Sequence, residues 1–201
     1  MLIIHHRRNT PELLERTPTS FGIEIDVRSR NNELIVQHDP FAEGIPLRAL
    51  LKEYRHRLLV VNIKEEGLEE RIMQELYKNR IVDFFFLDQS FPFLIKTITS
   101  GESRSAVRVS EYEAINTALN LSGLVQWCWI DYFTRFPLDK EECDLLRSKL
   151  FRLCLVSPEL QGYSEEECMI LIDYIKDNDI CVDAVCTKLP NLWSNSSMGV
   201  R

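Results

Sequence analysis

Eight short runs of apolar, β-favouring residues recur along this chain at about the spacing of one strand-plus-helix unit, and nothing else narrows the possible folds so far. They read "MLIIHH", "GIEIDV", "RLLVVNIK", "DFFFLD", "SAVRVS", "LVQWCWID", "FRLCLVS" and "ICVDAVCT". Between them lie helical patterns. "SEEECMILIDYIKDN" opens on a Ser cap followed by acids, and "EEGLEERIMQELYKNR" and "SEYEAINTALNLSG" repeat apolar residues at helical spacing. Eight strands alternating with helices predict an α/β fold, a (β/α)8 TIM barrel, with a doubly wound open sheet as the alternative. One strand breaks the alternation. "ELIVQHD" follows "GIEIDVR" across "SRNN", which is too short for a helical crossover but suits a hairpin, because Asn tolerates positive φ.

Barrels of this kind typically need about 250 residues. With 201 residues this one is a compact version with some helices short or missing. The segment "TPELLERT" has room for about two helical turns, and "KLPNLWSNSSMGVR" reads as a brief last helix and a loose tail. The expected organisation is therefore one domain over 1–195 and a tail over 196–201. A 45% hydrophobic composition supplies its core.

The net charge of −7 arises from 31 acidic and 24 basic residues, and the basic ones form no run. Non-specific nucleic-acid binding, which rests on clustered Lys and Arg, is not expected. "MLIIHHRRNTPELL" lacks the apolar region of a signal peptide, and no stretch approaches the roughly 20 apolar residues of a membrane span. A soluble, cytoplasmic protein is the natural expectation. Six cysteines, Cys128, Cys143, Cys154, Cys168, Cys181 and Cys186, show no CxxC spacing and read as reduced, buried thiols.

Chemistry concentrates in "GIEIDVRSRNNELIVQHDP". Residues two apart in a strand share a face, so Glu24 and Asp26 point one way while Ile23, Ile25 and Val27 point the other, towards the covering helices. Two carboxylates held close repel and resist dehydration unless a cation or donors neutralise them. A hard divalent cation, Mg²⁺ or Ca²⁺, would do so; a solvated edge or a pair of ion bridges is the plainer alternative. His6 ends the first strand and His38 the hairpin, and two histidines beside an acidic pair suit proton transfer at phosphorus. A strict two-residue turn at Asn31 and Asn32 would put His38 opposite Ile25, so reaching the acidic face calls for a bulge or a three-residue turn. Asn62 and Lys64 share a face of the third strand, and Lys64 could neutralise a phosphate oxygen. Asp88, Ser90, Arg108, Asp131 and Glu159 also fall at strand ends.

In order, "IIHHRRN", "IEIDV", "IVQHD", "NIK" and "VDAVCTKLP" resemble the glycerophosphodiester phosphodiesterase family, within the phospholipase C-like phosphodiesterase barrels. The specific part of the resemblance lies in the first 64 residues. It implies that His6 and His38 act as general base and general acid, that Glu24 and Asp26 are metal ligands, and that Arg7 and Lys64 face the phosphate. It also implies one divalent cation, Mg²⁺ or Ca²⁺ with Mn²⁺ possible, attack by a neighbouring substrate hydroxyl, and hydrolysis of the resulting cyclic phosphate. The chain departs from the family pattern at three positions. Arg8 stands at the glycine of the HRG motif, Asn62 at the third metal-ligand glutamate, and Lys188 at the aspartate of the terminal motif. An amide oxygen can still coordinate, with affinity weakened unless Glu65, Asp88 or Asp131 compensates. The family's insertion after the HD motif is reduced to "FAEGIP".

The expected activity is metal-dependent hydrolysis of a glycerophosphodiester or a related small polyol or sugar phosphodiester, within lipid metabolism. The rivals are a catalytically weak barrel that binds a phosphorylated ligand and an unrelated metal-dependent aldolase or isomerase.

Overall fold

All eight apolar runs are strands in the structure, a computed structural model that describes residues 1–195; the expected tail over 196–201 lies outside the described residues. In chain order the elements are β1 (Leu2–His5), α1 (Pro11–Glu15), β2 (Gly22–Arg30), β3 (Glu33–Val36), β4 (Ile45–Pro46), α2 (Leu47–Glu53) and β5 (Leu58–Ile63). There follow α3 (Glu69–Lys78), β6 (Phe84–Leu87), α4 (Phe91–Thr99), β7 (Ala106–Val109), α5 (Ile115–Leu119) and β8 (Trp127–Ile130). Last come α6 (Lys140–Ser148), β9 (Arg152–Val156), a 3-10 turn (Pro158–Gln161), α7 (Glu165–Asp177), β10 (Ala184–Thr187) and α8 (Pro190–Asn195). The residues group into two compact units, His5–Ser105 and Met1–Ile4 with Ala106–Arg201.

In the unit His5–Ser105, β2 runs parallel to β5 and β5 to β6, with Glu24 beside Val60, Asp26 beside Asn62, and Asn62 beside Leu87. The expected split of faces is present. Ile23, Ile25, Val27, Leu59, Val61, Ile63, Phe84 and Phe86 pack in one core with Leu14 of α1, Leu47, Leu50 and Leu51 of α2, and Ile72 and Leu76 of α3. Glu24, Asp26 and Asn62 therefore occupy the face turned away from these helices. Helix α1 is a single turn or so, shorter than its segment allows, started by the Thr10 hydroxyl accepting from Leu13 N and by Pro11.

β2 folds back on β3 through Asn31 (φ 49°) and Asn32 (φ 61°), a two-residue turn that keeps Arg30 opposite Glu33 and Val27 opposite Val36. There is neither a bulge nor a third turn residue, contrary to the register requirement read from the sequence. The ladder simply stops: β3 ends at Val36, Gln37 N still donates to Asp26 O at 3.0 Å, and His38 lies beyond the last pair. Freed from the pleat, it need not point where strict alternation would send it.

In the other unit, β7, β8, β9 and β10 pair in parallel in chain order, and Leu2 N donates to Asp183 O at 2.8 Å. Helix α6 carries a full capping box between Asp139 and Glu142, and α7 begins at the expected Ser164 cap. All six cysteines are free thiols; five are buried and Cys181 is exposed. No described helix is long and apolar enough to cross a membrane.

Candidate active site

The site grows from the carboxyl ends of β1, β2 and β5 and from the segment after β3. Glu24 and Asp26 are almost wholly buried, with 1% and 0% of their surface exposed, and Asn62 is at 6%. Each carboxylate is half satisfied. Glu24 Oε2 accepts from Arg7 N at 2.7 Å, and Asp26 Oδ2 accepts from Asn9 Nδ2 at 2.8 Å. The other halves, Glu24 Oε1 and Asp26 Oδ1, have no hydrogen-bond donor, and neither has Asn62 Oδ1. A buried oxygen without a hydrogen-bond donor is costly, and at Asp26 Oδ1 the Lys64 ammonium, 3.4 Å away, offsets part of that cost. Burial, and then repulsion from Asp26, push Glu24 well above the usual carboxylate range; the Arg7 N–H, the Asn62 side chain and the Lys64 ammonium pull the other way.

That donor set fits a hard divalent cation. All three groups offer oxygen, two carry charge, and the atoms left over are the ones a cation would satisfy. Among the described residues no three His, Cys, Asp or Glu side chains gather as a metal cage.

His6 stands beside one of these carboxylates, and His38 is joined to them through Arg7. His6 Nε2 lies 3.8 Å from Glu24 Oε2. Arg7 Nη2 donates to His38 Nε2 at 2.5 Å, and His38 Nδ1 lies 2.7 Å from Asp39 Oδ1. Since a guanidinium can only donate, His38 Nε2 must accept, so its proton sits on Nδ1 and bonds Asp39. Arg7 thus links the two clusters: its N–H holds Glu24, its Nε lies 3.8 Å from Asp26 Oδ2, and its far end holds His38. It does so with φ 50°, so the left-handed residue is Arg7 rather than Arg8, and no glycine is needed at position 8. Arg8 turns its Nε back to His6 O at 3.1 Å.

Lys64 Nζ stands between two carboxylates, 3.4 Å from Asp26 Oδ1 and 3.6 Å from Asp88 Oδ2. All seven residues singled out from the sequence, His6, Arg7, Glu24, Asp26, His38, Asn62 and Lys64, thus come from the unit His5–Ser105. Sequence reasoning left out three supports. Asn9 brackets Asp26, donating to its carboxylate while its own Oδ1 accepts from Asp26 N at 3.0 Å. Arg28 ties the hairpin end to β5, through Nε to His38 O at 3.0 Å and Nη1 to Lys64 O at 3.1 Å. Asp39 fixes the His38 tautomer. Arg28 was readable as the next residue on the Glu24–Asp26 face; Asn9 and Asp39 had only their adjacency to the histidine motifs.

Other strand-end candidates are engaged elsewhere. Glu65 accepts from Ser29 N at 2.9 Å and Ser29 Oγ at 2.6 Å. Asp131 pairs with Arg108 at 3.2 Å and accepts from Gln161 Nε2 at 3.2 Å. Glu159 accepts from Thr187 Oγ1 at 2.6 Å and Lys188 N at 2.8 Å. Ser90 caps α4. His56 is a core residue whose Nε2 donates to Thr17 O at 3.0 Å.

Among solved structures, the chain superposes on a glycerophosphodiester phosphodiesterase from Agrobacterium tumefaciens str. C58 with a TM-score of 0.67, at 15% identity, covering 98% of this chain and 99% of that one. It superposes on a glycerophosphoryl diester phosphodiesterase from Parabacteroides distasonis ATCC 8503 with a TM-score of 0.68, at 14% identity, covering 98% and 85%. The fold is that of the glycerophosphodiester phosphodiesterases. It is the (β/α)8 barrel that the alternation of elements predicts, with β3 and the two-residue β4 as the interruption after β2. No family model matches the sequence, and no curated protein matches it.

Proposed function

We propose that this protein hydrolyses a phosphodiester of glycerol or a related small polyol or sugar, using His6 and His38 for proton transfer and a divalent cation, Mg²⁺ or Ca²⁺, at Glu24, Asp26 and Asn62. The observation that carries this reading is the trio of buried oxygens without hydrogen-bond donors on one sheet face, with His6 beside Glu24 and His38 joined to the trio through Arg7. The solved structures of the same fold bear the names of glycerophosphodiester phosphodiesterases, which agrees with it.

When bound, the cation would neutralise charge on a phosphate oxygen and acidify a coordinated hydroxyl. The protein groups supply the rest. Lys64 and Arg7 offer charge to the remaining phosphate oxygens. His6, beside Glu24, takes the proton of the attacking hydroxyl. His38 returns a proton to the departing alkoxide, and for this its Nε2 must exchange the Arg7 guanidinium for a proton. Phosphate binding by Arg7 would make that exchange, coupling substrate capture to arming of the acid. Asp39, on Nδ1, stabilises the imidazolium so formed.

The test is a panel of phosphodiesters assayed with Mg²⁺, Ca²⁺, Mn²⁺ and chelator. Cation-dependent release of an alcohol, reduced about 10²–10⁴-fold in His6→Ala, is the expected result. Turnover that ignores chelator, or that survives His6→Ala, would overturn the reading. Because an amide replaces a carboxylate at position 62, a second reading is a phosphodiester-binding barrel without turnover; it predicts saturable binding in the same panel and no product.

A further inference from the structure

Strand register ceases to fix His38 once the β2–β3 ladder stops, and a side chain of β2 takes over. The last backbone bonds on the two flanks of β2 run from Gln37 N to Asp26 O and from Lys64 N to Val27 O, both at 3.0 Å. His38 and Lys64 therefore stand where the chain leaves the sheet on either side. Arg28, the next residue after Asp26 on the same face of β2, spans them. Its Nη1 donates to Lys64 O at 3.1 Å and its Nε to His38 O at 3.0 Å. The two bonds differ in kind. Lys64 is itself held through its N–H to Val27, so its carbonyl anchors the guanidinium, and the guanidinium carries that fixed position across to His38.

We propose, resting on the two-histidine reading above, that Arg28 is a positioning residue for the general acid: it keeps His38 in place when Arg7 lets go. In the resting site His38 is held at three atoms, Nε2 by Arg7, Nδ1 by Asp39 and O by Arg28. Proton delivery to the departing alkoxide requires Nε2 to give up Arg7. Asp39 does not replace that hold, since it is the next residue of the same segment and its side chain is 74% exposed. Among the described residues, the Arg28 bond is then what ties His38 itself to the strands. A guanidinium suits this part because its rigid fork fixes two acceptors at once. Its positive charge also bears on Asp39, whose carboxyl is held below the usual range chiefly by the hydrogen bond to His38. Charge and position are separable, because lysine keeps the first and lacks the fork.

A general acid matters only where the departing oxygen needs a proton. Two diesters of whichever polyol or sugar phosphate the panel above turns over isolate that need, one with ethanol and one with 4-nitrophenol as the departing alcohol. In each, the bond from phosphorus to the departing oxygen breaks as the bond to the attacking hydroxyl forms. Ethoxide takes the His38 proton, whereas 4-nitrophenoxide leaves without one. Release is followed in a single turnover, with the full-length chain in saturating excess and the active cation present. Arg28→Met should slow ethanol release about 10–100-fold and 4-nitrophenoxide release less than about threefold. Arg28→Lys should show the same pattern. Equal losses on the two diesters, or native ethanol release in either variant, would overturn the proposal. Melting curves that show both variants unfolded would assign Arg28 to the scaffold and overturn it as well. A panel without any turnover would instead overturn the hydrolytic reading on which it rests.

Discussion

Two clusters of polar side chains at strand ends, one in each unit, solve the problem of burial in opposite ways. In the later unit, Glu159 is saturated. Thr187 Oγ1 and Lys188 N bond one oxygen, Ser157 Oγ and Cys168 Sγ the other, and Trp193 Nε1 donates to Ser157 Oγ at 2.8 Å. In the earlier unit, Glu24, Asp26 and Asn62 each keep one oxygen without a donor. Among the described residues, every buried side-chain polar atom without a hydrogen-bond partner belongs to His5–Ser105. A satisfied cluster contributes to stability, while an unsatisfied one costs stability and keeps atoms available for something else. The contrast separates scaffold from site better than residue type does, since both clusters contain a glutamate, half-buried in one and buried in the other, with neighbouring hydroxyls or amides.

Substitutions sharpen this contrast. The largest effect is expected at Trp193, which is 1% exposed and donates into the satisfied cluster. Trp193→Ala should cost about 3–5 kcal/mol in denaturant unfolding. Glu159→Ala strands the Thr187 hydroxyl and Lys188 N–H and should cost about 1–3 kcal/mol. At the site the sign reverses. Glu24→Gln removes a buried charge facing Asp26 and should stabilise the fold by about 1–2 kcal/mol while abolishing cation binding and turnover. Destabilisation of the same size as at Glu159 would break the comparison.

Acid offers a further test in the earlier unit. Burial, helped by Arg8, depresses His5 to about 4, and burial also lowers His56. Both are neutral in the fold, so their contribution is intact above their ordinary value of about 6.5. As pH falls below that, the unfolded chain takes up protons that the fold refuses, and stability declines until His5 itself titrates near 4. Glu24, raised above the carboxylate range, works the other way in the same unit, so the check is a difference: across that window the Tm of His5→Gln should fall less, or rise more, than that of the native chain, by about 2–4 °C. Equal pH dependence in the two would contradict it. The smallest effect belongs to the hairpin. Asn32→Gly suits φ 61° and should leave stability within about 0.5 kcal/mol and activity unchanged, since His38 lies past the ladder.

The strands were legible because each is an apolar run bounded by turn residues, and the acidic face of β2 because alternation survives burial. The position of His38 was not, since register rules hold only while the ladder lasts and nothing in "IVQHDP" says that pairing stops at Val36. Helices α2, α4 and α6, over "LRALLKE", "FPFLIKTIT" and "KEECDLLRS", were not read from the sequence, although the shorter α5 was. The seven candidate residues were readable from motif order. Their partners were not: that Arg7 meets His38, that Glu65 turns to Ser29 and that Lys64 is shared with Asp88 depend on side-chain reach across strands, which a linear pattern does not encode.

Every residue of the proposed catalytic and cation-binding machinery, from His6 to Lys64, lies in one uninterrupted stretch of the chain. The genetic unit of the proposed activity is therefore shorter than its structural unit. Recombination that replaced the later half of the gene with that of another barrel would carry no reacting group across the junction, and lineages could trade scaffolds while inheriting the same chemistry.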